Sequence, residues 1–305
     1  MDTRDILRRV HGGEPRSIGR AISLIENQDD CAAEILQGLD PERIKASFVL
    51  GVTGPPGAGK STLTAQLVRH LRLQKQRVGI IAVDPSSPVS GGALLGDRIR
   101  MMDHALDQQV VVRSMATRGK LGGLCASAGA AVRILAASGC RTIIIETVGI
   151  GQSEMDIIRL ADISIMVLAP GFGDDIQAMK AGILEVADLI VVNKSDQPGA
   201  EKLALDLATV FQNAEEKNLR LLQTIASENK GLDELVKRIQ DMEKQCRLNG
   251  TLQKRRLQSS ALETLDWAIE ILRSRLTPLI EKQDKSIDPR LAAEKIIRQL
   301  IQEKD

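Results

Sequence analysis

The sequence predicts an α/β fold, a mainly parallel β-sheet covered by helices on both faces, with helices before the sheet and a helical arm after it. Three observations carry this expectation. From Phe48 onward, the short apolar runs FVLGVT, VGIIAV, VVVRSM, TIIIE, ISIMVLA and LIVVN alternate with amphipathic stretches. Runs of that length between helical segments are the pattern of strands buried on both faces. A glycine-rich turn, GPPGAGKS, separates the first run from a helical stretch, and no strand-like run follows Cys246.

Taken in order, residues 1–45 read as a helical extension by apolar period, with breaks at HGGEPRS and LDPE. The sheet unit occupies 46–247. Its last strand is expected near LRLLQTIA, followed by a helix from Gly231 to about Gln245. Residues 248–305 read as a helical arm. KRRLQSSALETLDWAIEILRSRLTPLIEK is one long helical pattern with Pro278 at an expected kink, and a second helix starts with Pro289 in its first turn. Leu257, Leu262, Leu265, Ile269 and Leu272 make an apolar stripe. A stripe reports burial but not the partner, so it packs either onto the main domain or against a second copy.

A chain of 305 residues with 43% hydrophobic and 27% charged residues can bury a sizeable core. A net charge of +1, no Tyr, one Trp and three Phe supply neither electrostatic pull nor stacking platforms, so no nucleic-acid partner is expected. The cysteines, Cys31, Cys125, Cys140 and Cys246, form no C-x-x-C pair and read as isolated thiols of a reducing compartment. MDTRDILRRV is not followed by an apolar stretch, and no run approaches a membrane span. A soluble, cytoplasmic protein without a membrane partner is expected.

Gly54, Pro55, Pro56, Gly57, Ala58, Gly59, Lys60 and Ser61 match G-x-x-x-x-G-K-[ST] in full. The strand before and the helix after are the context that a P-loop NTPase requires. Glycines let backbone amides turn inward around phosphate oxygens at the positive end of the helix. Lys60 neutralises β- and γ-phosphate charge, the Ser61 hydroxyl serves Mg²⁺, and Thr62 reaches the α-phosphate. The competing reading, a chance glycine-rich turn, does not account for the flanking strand and helix.

NKSD, Asn193 to Asp196, follows the run LIVVN and fits N-K-x-D. The Asp196 carboxylate can accept both N1–H and the 2-amino group of guanine. Adenine offers neither donor and would leave the carboxylate unpaired, which selects GTP over ATP. Asn193 braces the loop or contacts the base, and the Lys194 stem covers it. On its own a four-residue turn is weak evidence; downstream of a full cradle it is strong. In TIASENKG the Ala226 amide is the candidate partner of the guanine oxygen, although Ile225 stands where a T-S-A triplet has Ser.

Three carboxylates are candidates for Mg²⁺ beside Ser61: Asp84, Asp97 and Glu146. Helix capping competes for Asp97, because IRMMDHAL follows it. Glu146 opens ETVG, where the common D-x-x-G has Asp, and the Gly149 amide is placed to sense the γ-phosphate. Ile150 occupies the place of the usual Gln. The water-positioning group is then Gln152, Asp174 or a residue of a partner, and for Gln152 a helix-start role in GQSEMD competes. Arg113 and Arg118 read either as transition-state or coupling groups or as structural ion pairs. His11, His70 and His104 lack metal-ligand spacing and read as surface residues, as does the basic run Lys254–Arg256.

Together, GPPGAGKST, VDPSSP-x-SGG-x-x-LGD-x-x-RM, RSMATRG-x-LGGL, ETVG-x-GQSE, APG-x-GDD-x-Q-x-x-KAGI-x-E-x-ADL and VVNKSD resemble the MeaB/ArgK-type P-loop GTPases over nearly the whole chain. These are chaperones of methylmalonyl-CoA mutase, an adenosylcobalamin enzyme. The resemblance implies a homodimeric GTPase, dimerising through its C-terminal helices and weakly active alone. Such a GTPase gates cofactor delivery to the mutase and protects or reactivates it. It assigns nucleotide and Mg²⁺ roles to Lys60, Ser61, Asp84, Asp97 and Glu146, and a partner-responsive switch to Gly171–Gly182. No D-x-H-x-x-G motif occurs, so cobalamin belongs on the partner and not on this chain. The alternatives are a metallochaperone GTPase, which usually carries a His-rich tract or C-x-x-C pair, and a kinase acting on a transport protein or small molecule.

Overall fold

The computed structural model describes residues 2–84, 107–116, 123–147, 158–171, 187–209, 220–281 and 288–302. The six apolar runs and the stretch near LRLLQTIA form strands: β1 Phe48–Thr53, β2 Val78–Asp84, β3 Val110–Ala116, β4 Thr142–Thr147, β5 Ile163–Leu168, β6 Leu189–Val192 and β7 Leu221–Gln223. They build one sheet in the order β3-β2-β4-β1-β5-β6-β7. Each of its pairings is parallel. The central strand, β1, lies between β4 and β5. The chain winds to one side of β1 through β2–β4 and to the other from β5. The C-terminal end of β1 is therefore the switch point where a doubly wound sheet opens a ligand crevice.

Strand alternation sends β1 side chains to opposite faces. Phe48, Leu50 and Val52 are buried with Leu63 and Leu67 of α5 (Lys60–Leu73) and Leu235 and Ile239 of α8 (Leu232–Leu248). Val49 joins the other cluster, with Ile81, Ile143 and Ile145 against Ile134 and Leu135 of α6 (Gly123–Ala137). The four N-terminal helices are α1 (Thr3–His11), α2 (Pro15–Glu26), α3 (Ala32–Gln37) and α4 (Pro41–Ala46). Ile6, Val10, Ile18, Ile22 and Ile35 from α1–α3 lie in this same cluster. Polar breaks set their ends. Pro15 opens α2, and Asp40 caps α4 by accepting from the amides of Glu42 and Arg43 at 3.0 and 3.2 Å. A third cluster joins Met166, Leu168, Ile190 and Val192 to α7 (Ala200–Ala208).

Sequence pattern places Arg113 either near the chemistry or in an ion pair. It donates to Glu26 and to Ser23 of α2, tying β3 to the N-terminal helices. Cys31, Cys140 and Cys246 are free thiols, and burial pushes the Cys140 thiol pKa up.

One expectation for the arm is corrected, and one of two open alternatives is decided. The helix α9 (Thr251–Glu281) runs through Pro278 without interruption, and α10 (Pro289–Gln302) follows. Of the two alternatives for the α9 stripe, packing onto the main domain does not occur: Leu257, Leu262, Leu265, Ile269 and Leu272 are all exposed, Leu257 by 66%. The inward side of α9 instead buries Leu252, Glu263 and Glu270. Glu263 receives both guanidinium nitrogens of Arg133 on α6, each at 2.7 Å. The correction concerns the basic run. Lys254 is exposed, but Arg255 forks onto Asp188 at 2.6 and 2.9 Å, and Arg256 onto Asp162 at 2.6 and 2.8 Å. The charges face the sheet because Asp162 and Asp188 stand at the strand starts. There they accept the backbone amides of Val49 and Ser164, each at 2.9 Å. A charge run shows its charge but not its side of the helix.

Asp162 is 2% exposed, so removing its guanidinium partner leaves a desolvated carboxylate. Arg256→Ala is expected to lower unfolding free energy by about 3 kcal/mol, measured by urea titration; an unchanged midpoint would contradict the clamp.

Candidate functional site

The cradle forms at the C-terminal end of β1. Gly54, Gly57 and Gly59 have φ of 139°, 82° and 90°, backbone that favours glycine. A Cβ on Gly54 would lie 2.0 Å from the Val167 carbonyl oxygen, and one on Gly59 would lie 2.3 Å from Asn193 Nδ2. These two glycines are demanded by close approach as well as by conformation. Lys60 opens α5 and is 6% exposed; its Nζ donates to the carbonyls of Gly54 and Pro55 at 2.8 and 3.0 Å. The ammonium is thus held inside the loop by the loop's own backbone. Pro56 and Thr62 are exposed, while Ala58 is buried and its amide donates to Pro55 O at 3.2 Å.

Ser61 follows in the first turn of α5, and its hydroxyl donates to Glu146 Oε1 at 2.6 Å. Glu146 belongs to β4, in register with Val52 of β1 and Ala82 of β2, and is 6% exposed. Asp84 ends β2 two residues past Ala82, at the same sheet edge. A hydroxyl and a buried carboxylate are hard oxygen donors of the kind Mg²⁺ takes, so the set fits that ion. Among the described residues no group of three His, Cys, Asp or Glu side chains could hold a metal ion. The Asp84 side chain and Asp97, Gly149, Gln152, Asp174 and Arg118 lie outside the described residues, as does the 172–182 part of the partner-responsive segment.

The N-K-x-D side is built around Asn193, 2% exposed at the end of β6. Its Nδ2 donates to Ala58 O at 3.0 Å, and its Oδ1 accepts from Thr224 Oγ1 at 3.1 Å and from the Ala226 amide at 3.0 Å. Of the two roles open to Asn193, the brace is the one its bonds describe. The Ala226 N–H is thus directed at Asn193. Lys194 has φ +56° and brings its Cε to 3.9 Å from a Cβ position at Gly59, setting its stem beside the cradle. Asp196 is exposed. The Glu228 carboxylate 2.6 Å from Lys230 raises the Lys230 pKa, with Asp196 adding to that field.

Some bracing residues escape motif reading. Ser195, the free position of N-K-x-D, donates its hydroxyl to Val192 O at 2.8 Å and to Thr224 O at 3.1 Å. The hydroxyls of Thr53 and Thr147 meet at 3.1 Å between the ends of β1 and β4. A hydroxyl residue closing an apolar run was the available signal for Thr53 and Thr147. The structure brings together Lys60, Ser61 and Glu146 on one side, and Ala58, Gly59, Asn193, Lys194 and Ala226 on the other.

Comparison with known proteins agrees with this architecture. The family described as methylmalonyl Co-A mutase-associated GTPase MeaB matches residues 18–283. A Pyrococcus abyssi protein assigned as a GTPase is 39% identical over 313 residues, covering 97% of this chain and 96% of that one. The Escherichia coli GTPase ArgK is 36% identical over 265 residues, covering 83% and 80%. Among solved structures, a LAO/AO transport system kinase superposes with a TM-score of 0.70 at 26% identity, covering 98% of this chain and 97% of that one.

Proposed function

The chain belongs to the MeaB family of methylmalonyl Co-A mutase-associated GTPases, and from that premise we propose that it is a GTP-hydrolysing chaperone of an adenosylcobalamin-dependent acyl-CoA mutase. It gates cofactor delivery to the mutase and protects or reactivates it. The observation that carries the nucleotide part is the Asn193 brace, which joins the phosphate cradle at Ala58 to the base loop at Ala226. A cradle and an N-K-x-D turn locked together are built for one ligand with phosphate at one end and guanine at the other.

In this reading Lys60 compensates β- and γ-phosphate charge, and the cradle amides receive the phosphate oxygens. Ser61 and Glu146, with Asp84 and Asp97, hold Mg²⁺, which supplies further charge neutralisation on the phosphates. Asp196 reads N1–H and the 2-amino group. Gly149 senses the γ-phosphate, and Gln152, Asp174 or a partner residue orients the water. Ile150, standing where a self-sufficient GTPase has Gln, makes turnover slow alone. The exposed stripe of α9 supports a homodimer, because five large apolar side chains on one helix face leave a patch that a second copy covers.

Turnover of GTP by the isolated chain is expected to be slow and to accelerate at least about tenfold with its mutase, one tenfold being 1.4 kcal/mol of barrier. Fast turnover unaffected by any mutase would sink the chaperone reading, and labelled phosphate on an acceptor protein would favour the kinase reading. Asp196→Asn is expected to move preference from guanosine to xanthosine nucleotides, read by competition binding; unchanged guanine selectivity would refute the base assignment. Replacing Leu265 and Ile269 together by Glu is expected to give a monomer by light scattering, with the thermal midpoint of the monomeric fold retained. A variant that stays dimeric would move the interface off the stripe.

A further inference from the structure

The loop between β7 and α8 folds onto itself. Ile225 and Lys230 pair as an antiparallel bridge, with amide-to-carbonyl distances of 3.0 and 3.2 Å. Ala226–Glu228 forms a 3-10 turn, and Asn229 ends it in the left-handed region at φ +58°. The inner end of this loop is fixed by Asn193. Its outer end is reached from α5, where His70 Nε2 lies 3.0 Å from Asn229 Oδ1. The other ring nitrogen is 3.4 Å from Asp233 Oδ1 in the first turn of α8, and the His70 side chain is only 14% exposed. This is not the solvated helix-surface histidine that its isolated position in the sequence predicts.

His70 stands in the last turn of the helix that Lys60 opens. One rigid helix therefore holds the phosphate side by its first residues and the base loop by its last turn. Asp233 is 91% exposed, so its charge is screened and contributes little; the Asn229 contact is the one that matters. The Asn229 amide in turn donates to Ala226 O at 3.4 Å, within the same turn as the Ala226 amide. A loop ordered before the base arrives does not charge its ordering to the binding event.

Resting on the guanine-nucleotide reading, we propose that His70 is a positioning residue for base recognition, pre-ordering the Ala226–Asn229 turn from the phosphate-binding helix. The hydrogen bond can be removed from either side without disturbing the backbone, because Asn229 has a φ that glycine adopts freely. The test is calorimetric binding of GDP and of inorganic pyrophosphate to the full chain and to H70A, H70Q, N229G and the H70A/N229G pair. H70A and N229G are each expected to weaken GDP about threefold to tenfold, the worth of one such bond. The double variant should be no weaker than either single one, H70Q should recover most of the loss, and pyrophosphate binding should not change. Unchanged GDP affinity in both single variants overturns the inference. So does an equal loss for GDP and pyrophosphate, which would mark a general structural role. Absence of GDP binding by the unaltered chain would remove the guanine reading itself, and this inference with it.

Discussion

Asn193 stands at the end of β6 with its amide spent on three groups from two other segments: Ala58 O, the Thr224 hydroxyl and the Ala226 amide. An amide buried this deeply costs several kcal/mol if unpaired, so the three contacts form together or the site pays heavily. Their consequence is that the cradle after β1, the turn after β6 and the loop after β7 share one position. Gly59 follows from the same constraint, because any side chain there would run into Asn193 Nδ2. A glycine usually explained by phosphate approach is here also required by the brace behind it.

The opposite edge of the sheet has its own requirement. Parallel strands begin with amides that the ladder does not fully use, and here aspartates before β5 and β6 accept them from Val49 and Ser164. One buried and one half-buried carboxylate then need counter-charge, and consecutive arginines at the root of α9 supply it. The arm is thereby fixed to the sheet floor, at the edge away from the cradle, while Arg133 and Glu263 hold it against α6. The direction in which the exposed stripe faces is a property of the core and does not depend on the arm alone.

What was legible in the sequence has a common physical character. Strands buried on both faces must be apolar throughout, and all six apolar runs became strands. The cradle and N-K-x-D turn demand particular residue types at short spacing, because backbone geometry and ligand chemistry act locally there. What was not legible depends on partners distant in sequence. Arg255 and Arg256 read as solvated because Asp162 and Asp188 reach them only through the topology. His70 read as a surface residue because Asn229 lies on another segment, and Arg113 could be referred to the N-terminal helices only once Glu26 and Ser23 were placed beside β3. Periodicity found the α9 stripe but could not say which side of the helix met the core.

Glu146 in place of the more common Asp has a geometric reason in this sheet. It pairs with Val52 and Ala82 inside the ladder, and β4 continues past it to Thr147. The carboxylate is thus launched from within the strand, one residue before its end, yet it must meet a serine in the first turn of α5. An aspartate at the same Cα would fall short by one carbon–carbon bond, roughly 1.5 Å, turning a 2.6 Å hydrogen bond into no bond at all. The extra methylene is what lets a strand-bound acid take part in the cradle. It holds a desolvated carboxylate beside the phosphate-binding helix without interrupting the strand that carries it.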